Sequence, residues 1–414
     1  MAPNAFSRRG FLAGALSTVA TAGAASAVAG CDNSKSDGAL AATSPATVAF
    51  RAEHQAGIAT PAQDRLAFAA FDVTTSSRAG LIELLRQWTD AAEKMTQGLP
   101  IGSIDGDPAQ VPDDTGEALD LPAANLTITI GFGPSLFDSR FGLHARKPKS
   151  LQPLPGFPGD VIDPTSSGGD ICIQACADDP QVAYHAVRNL NRIGFGTVTM
   201  RWFQLGFGRT SSTSSMQQTP RNLLGFKDGT RNVLADNTAD MNSHVWVGAD
   251  ADADWLRGGS YLVSRRIRMT IESWDRDRIG DQQAVIGRHK LSGAPLTGNK
   301  EHDLPDLAAK GSDGSPVIGM DAHIRLASPA SNNGVKILRR GYSFTDGADA
   351  RTGQLDAGLF FICFQSDPNT GFIPVQRSLA SDALNEYIKH TSSAIFACPP
   401  GLGAGEYWGQ KLFR

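Results

Sequence analysis

From residue 65 to residue 207 the apolar side chains change spacing in the order strand, helix, strand, then again strand, helix, strand, and few folds accept that order. Arg65–Val73 is a compact apolar run of strand length. Arg78–Gln97 then sets Leu81, Leu84, Leu85, Trp88, Ala91, Ala92 and Met95 close to the helical period of about 3.6 residues, a helix with one buried face. A long Pro-, Asp- and Gly-rich loop covers residues 98–120, Leu126–Ile130 alternates as a half-buried strand, and Gly131-Phe132-Gly133-Pro134 ends it. Asp170–Cys176 is the next strand, Asp179–Ile193 a helix and Thr197–Phe207 a strand. Such an order predicts an antiparallel sheet covered by helices on one face, an α+β unit of ferredoxin-like type. The second half repeats the plan more loosely, with strands at Ser260–Ile271, Lys336–Tyr342 and Gly358–Gln365 and helices near Asp275–Ile286 and Ser378–Ile388. Two ferredoxin-like domains are therefore expected, over 54–215 and 216–414, and 414 residues of 41% hydrophobic composition can fill their cores.

A net charge of -4, made of interspersed charges of both signs, carries no electrostatic footprint for a polyanion, so nucleic acid is not an expected partner. None of the five cysteines forms a CxxC pair or a CxxCH haem-attachment site. Cys172 and Cys176 sit four apart on a predicted strand and share one face about 13 Å apart, too far for a disulfide, so they read as small buried apolar side chains.

At the N-terminus, Ser7-Arg8-Arg9-Gly10-Phe11-Leu12 precedes an uncharged Ala/Gly/Thr/Val stretch reaching Gly30. Residues 1–31 thus resemble a twin-arginine export signal, and the stretch is too poor in Leu and Ile to hold a bilayer well. Ala25-Ser26-Ala27 suits a signal peptidase, whereas Val28-Ala29-Gly30-Cys31 resembles a lipoprotein box that would leave Cys31 lipidated. Residues 32–53, small and polar at first, are expected to form a flexible linker. The expected location is the periplasm or the extracytoplasmic face.

Four segments could carry chemistry. Gly225-Phe226-Lys227-Asp228-Gly229-Thr230 holds one carboxylate between glycines that allow the backbone to approach a ligand; alone, a glycine-flanked aspartate is a turn former. Asp321-Ala322-His323-Ile324-Arg325-Leu326 puts a histidine in an apolar, strand-like run, the best metal-ligand candidate of the eight histidines. Lys336-Ile337-Leu338-Arg339-Arg340-Gly341-Tyr342 puts two arginines on opposite faces of a strand, so one must point inward, at high cost unless an anion meets it. Ile286-Gly287-Arg288-His289-Lys290 is a basic cluster ahead of Gly293-Ala294-Pro295-Leu296.

Together with HQAGI at 54–58 and GLFFICFQSDP at 358–368, these segments resemble the dye-decolourising peroxidase family, in the exported branch that includes the deferrochelatase-type haem peroxidases. The resemblance runs from about residue 54 to the C-terminus. It implies one non-covalent haem b per chain, held mainly by the C-terminal domain. His323 corresponds to the iron ligand, Asp228 and Arg339 to the catalytic groups on the opposite face, and Arg288 to the partner of a haem propionate. Gly229, Thr230, Arg231, Ser328, Pro329 and Ala330 fall where the family lines its cofactor, and Glu386 where it places the acid that accepts the imidazole N–H. Relatives often carry Asn-Pro-Arg where this chain has Ser328-Pro329-Ala330, which puts one contact to the haem edge in doubt.

The implied reaction reduces hydrogen peroxide and oxidises an organic reductant such as a dye or phenol. A carboxylate, titrating ordinarily near about 3.9, stays a base where a histidine near about 6.5 is protonated, so an acidic optimum is expected. Bulky donors would need electron transfer through aromatics, with Trp202, Tyr342 and Tyr387 as candidates. Iron-uptake membrane partners and a homo-oligomer are implied by resemblance alone. Three readings compete: a deferrochelatase that frees iron and leaves the porphyrin whole, a non-catalytic haem-binding lipoprotein, and an exported α+β protein with no cofactor.

Overall fold

The computed structural model describes residues 46–414. The expected export signal, Cys31 and the first part of the linker lie outside those residues. Phe50 and Arg51, expected in the linker, belong instead to the folded body: Phe50 packs edge-on against Trp408 and Arg51 pairs with Glu93 at 2.7 Å.

In the first half, β1 (Arg65–Val73), α1 (Arg78–Thr96), β2 (Thr127–Phe132), β3 (Ile171–Ala177), α2 (Pro180–Ile193) and β4 (Val198–Arg209) follow the expected order. Ser77 and Asp179 start the two helices by accepting backbone N–H groups of the first turn. All pairings are antiparallel and the spatial order is β2-β3-β1-β4, the ferredoxin-like arrangement. Trp88 of α1 is fully buried against Phe71 of β1, and its Nε1–H donates to Leu190 O of α2 at 2.7 Å, so one ring ties the sheet to both helices.

The second half contributes β5 (Ser260–Met269), β6 (Leu338–Arg339), β7 (Tyr342–Ala348), β8 (Leu355–Gln365) and β9 (Ile388–Cys398). Their order is β9-β5-β8, with β6 and β7 following one another along the far edge of β8. Three expectations need correction. The strand over Lys336–Tyr342 breaks at Arg340-Gly341, where the fully buried Arg340 side chain turns in to donate to Thr60 O and Gln63 Oε1. The helix near Asp275–Ile286 is two shorter ones, Ile271–Trp274 and Ile279–Ile286. No helix spans Ser378–Ile388: a helix ends at Ser378, two 3₁₀ turns follow, the second started by the Asp382 carboxylate, and β9 begins at Ile388.

The two sheets meet at their edges. Phe132 pairs with Ala397 to join β2 to β9, while Phe207–Ser343 and Arg209–Tyr342 join β4 to β7, and β5 pairs with both β9 and β8, so the strands close into a ring. Inside it pack Phe68, Cys172, Cys176, Trp202, Leu262, Tyr342, Phe360 and Phe396; α1 and α2 lie outside. Cys172 and Cys176 share the inner side, as their spacing requires, and are free and buried. A separate apolar cluster of Leu224, Phe226, Met269, Trp274, Ile286 and Leu384 underlies the loops of the second half. Among the described residues no helix is long and apolar enough to cross a membrane.

Candidate active site

His323 opens a short helix, His323–Leu326, rather than the expected strand. The helix stops after one turn because Pro329 follows closely, and the residue before a proline is driven out of helical geometry. The imidazole Nδ1–H donates to Asp382 Oδ2 at 2.6 Å, and Asp382 Oδ1 accepts the Leu384 N–H at 2.8 Å. Asp382 is almost wholly buried, whereas 31% of the His323 side chain is exposed although protein surrounds it closely, so the ring faces a hollow. Burial pulls the imidazole pKa down, but the Asp382 carboxylate outweighs that and leaves it raised; the charges of Asp228 and Arg339 also reach the ring. With Nδ1 committed to a carboxylate, Nε2 is the atom left to bind a metal.

Glu386 does not take the part that the resemblance assigned to it. It is exposed at the end of the 3₁₀ turn, and the acid on the imidazole is Asp382, four residues earlier. An aspartate two residues before a turn N–H is a capping signal legible in the sequence, and here one oxygen caps while the other holds the histidine.

Asp228 and Arg339 come together: Arg339 Nη1 donates to Asp228 Oδ1 at 2.9 Å, and Asn222 Nδ2 donates to Oδ2 at 3.2 Å. Gly229 has φ +85°, and a Cβ there would lie 2.8 Å from Ser211 Cα, so the turn that presents Asp228 needs glycine. Of the paired arginines, Arg340 is the one buried completely, and neutral oxygens meet it instead of the anticipated anion. Arg339 stays partly open, with Asp228 as its anionic partner.

Arg288 is 4% exposed and its Nη1 donates to Gly293 O at 2.6 Å and Glu301 O at 3.0 Å. Burial lowers its pKa first, the positive field of Arg231 lowers it further, Glu301 opposes, and Arg339 adds to the lowering. The charges of Arg231 and Arg339 therefore both reach the Arg288 guanidinium. Thr230 Oγ1 donates to Glu301 Oε1 at 3.2 Å and Lys227 pairs with the same carboxylate, so Glu301 latches its loop to the Asp228 turn. Nothing in the sequence reading marked Glu301. Ser328 caps the turn Pro329–Ser331 and Ala330 is exposed, so this stretch shapes the chain behind the histidine helix.

These residues fit haem. A histidine with one free ring nitrogen, an excess of guanidinium charge that carboxylates on a porphyrin rim would neutralise, and an apolar cluster reaching Phe226 and Ile286 are the donor set such a group needs. A surface groove of about 760 Å³ lined by Arg51, Val247, Arg257, Pro400 and Lys411 contains none of them. Its arginines are already paired, Arg51 with Glu93 and Arg257 with Asp254.

Comparison with known proteins agrees. Residues 55–208 match the Dyp-type peroxidase N-terminal model and 219–403 the C-terminal model. The deferrochelatase of Escherichia coli K12 is 40% identical over 377 residues, covering 88% of this chain and 87% of that protein. Ferric DtpA from Streptomyces lividans superposes with a TM-score of 0.82 at 40% identity, covering 89% of this chain and 98% of that one. A DyP-type peroxidase from Cellulomonas bogoriensis gives 0.80 at 41% identity, covering 90% and 99%. With both halves matched in order and the ferredoxin-like sheets in place, the chain belongs to the Dyp-type peroxidase family.

Proposed function

We propose that this haem b peroxidase reduces hydrogen peroxide and oxidises organic donors through His323, Asp228 and Arg339. One observation carries the assignment: Arg339 is bonded to Asp228 at 2.9 Å and His323 to Asp382 at 2.6 Å, two charge-assisted pairs within electrostatic reach of one another. When bound, haem would supply an iron that gives electrons to peroxide and regains them from the organic donor. His323 Nε2 would hold that iron, and Asp382 fixes the ring's tautomer and direction while making the imidazole more electron-rich. Asp228 has Asn222 on one carboxylate oxygen and Arg339 on the other, which leaves lone pairs on both to take a proton from one peroxide oxygen and return it to the other. Arg339 places fixed charge where negative charge develops, already oriented by the carboxylate it meets. Arg288, backed by Arg231, would neutralise a propionate.

The test is the absorption spectrum of the haem-loaded chain with and without hydrogen peroxide. His323→Ala should alter or abolish the Soret band, and Asp228→Asn or Arg339→Leu should abolish or slow its peroxide-induced change. A band that forms normally but never responds to peroxide in the native chain would remove the peroxidase reading.

Iron release from haem is the second reading, supported by the 40% identity to a protein described as a deferrochelatase. Iron-free porphyrin formed at stoichiometric yield or above would favour it. Export by the twin-arginine route, with Cys31 as a candidate lipid anchor, is supported by Ser7-Arg8-Arg9-Gly10-Phe11-Leu12 and Val28-Ala29-Gly30-Cys31. A mature N-terminus found upstream of residue 25 in exported protein would reject both cut sites.

A further inference from the structure

The seam between β4 and β7 is short. After Phe207–Ser343 and Arg209–Tyr342, its last backbone rung is Thr210 N–H to Gly341 O at 2.9 Å. Beyond that rung the first strand departs through Ser211 and Ser212, while the opposite chain continues into Arg340 and Arg339. Strand β6, only Leu338 and Arg339, is held by β8 along one edge. Two residues bonded on one side make a weak platform for a side chain that must keep its place.

A side chain supplies the missing rungs. Asn232 Oδ1 accepts the Arg339 N–H at 2.7 Å, and Asn232 Nδ2 donates to Arg339 O at 2.8 Å and to Ser212 O at 2.9 Å. A carboxamide carries a donor and an acceptor spaced like those of a peptide group, so it can pair with both backbone groups of one residue and pass the ladder on to the departing strand. Asn232 also sits four residues after Asp228, in the turn that Gly229 allows, with its own N–H donating to Gly229 O at 3.0 Å. A closed loop results: Asp228 to Asn232 along the chain, Asn232 to the Arg339 backbone, and the Arg339 guanidinium back to Asp228 at 2.9 Å.

We propose that Asn232 is a positioning residue, its amide replacing the strand that leaves β6 and fixing the backbone from which Arg339 reaches Asp228 and peroxide. The proposal rests on the peroxidase reading of Arg339.

Asn232→Ala and Asn232→Asp, each made in the native and Arg339→Leu chains and loaded with haem, test it. Hydrogen–deuterium exchange at the Arg339 amide, in the chains that keep Arg339, reads the hold on the backbone, and stopped-flow absorbance reads the peroxide step. In Asn232→Ala the Arg339 amide should exchange roughly tenfold faster or more, and the peroxide step should slow by roughly tenfold or more. In the Arg339→Leu background the same substitution should add no further slowing, because the group being positioned is gone. Asn232→Asp keeps the acceptor and should retain part of the amide protection; it carries the test alone if Asn232→Ala does not fold. Equal slowing in both backgrounds, or unchanged exchange at Arg339, overturns the proposal. An Arg339→Leu chain that responds to peroxide like the native one overturns the peroxidase reading itself, a result distinct from either of those.

Discussion

The crossovers that follow β1 and β5 occupy the same slot in the two sheets and are built by opposite means. After β1 the chain forms α1, nineteen residues with nine of them buried, and the stripe that packs it on the sheet is also what folds it. After β5 the chain manages helices of four, eight and four residues and otherwise runs as loop to residue 337. Polar ties hold that loop: Arg325 donates to Leu307 O, Ile318 O and Gly319 O, Arg288 to Gly293 O and Glu301 O, and Lys227 pairs with Glu301. Apolar stripes make a scaffold but leave no functional group in view. Loops pinned by charge can hold His323 part-open and Arg288 buried among them, at the cost of order that a periodic pattern would have announced.

Substitutions can break this division between scaffold and site. The largest expected effect is chemical: Asp228→Asn should slow the peroxide step about a hundredfold or more while leaving the melting temperature near that of the native chain, as stopped-flow absorbance and a thermal melt will show. Trp88→Ala should do the reverse, destabilising the fold by about 3–5 kcal/mol in denaturant titration without altering the peroxide response of the folded fraction. A chain in which Trp88→Ala also removes that response would join the two crossovers into one functional unit.

His390 gives an effect of similar size that belongs to the scaffold of the second half. It is buried beside Arg265, and burial first, then that guanidinium, lower its pKa to about 4. The unfolded chain takes up this proton near pH 6.5 and the folded chain only near 4. Stability is therefore complete above about 6.5 and falls as pH drops from there towards 4, by at most about 3 kcal/mol. His390→Gln should flatten that part of the stability curve, measured by urea titration at several pH values.

Smaller effects sharpen the site. Asp382→Asn should weaken haem retention or the peroxide step about ten- to a hundredfold, since it removes the negative charge beside the imidazole and leaves one oxygen for both the His323 and the Leu384 N–H. Glu386→Gln should change neither measurably, because the residue is exposed and its carboxylate is not bonded to the imidazole. Reversal of that order would return the orienting role to Glu386.

How far the sequence could be read follows the same division. β1 to β4, α1 and α2 were legible to within about two residues, because β4 and the helices each have one apolar face with a plain period and β1 to β3 are short, largely apolar runs bounded by polar or turn residues. The glycines around Asp228 and the histidine at 323 stood out as motifs, and their order along the chain carried the family. β9 was not legible: His390, Ser392 and Ser393 interrupt its apolar run, and the polar side chains turn inward to partners such as Asp160 and Ser166 that lie far away in sequence. Asp382 was passed over for Glu386 although aspartate is a capping residue, because weighing that signal depends on where a 3₁₀ turn begins, which no period shows. Strand geometry alone did not tell adjacent Arg339 and Arg340 apart, and only the resemblance singled out Arg339, since Thr60 and Gln63, which hold Arg340, come from the other half of the molecule.

The pair Phe132 and Ala397, one of two short seams closing the ring, has a consequence for how the chain is made. Its partners lie most of the chain apart, and β9, which carries one of them, also flanks β5 along its whole length. A ribosome-bound chain lacking its last strand leaves β2 and β5 with an uncovered edge each, and the inner faces that bear Phe68 and Phe360 open to water. Folding thus awaits the final residues, and a chain cut short before residue 388 is expected to aggregate rather than to survive as a shorter protein.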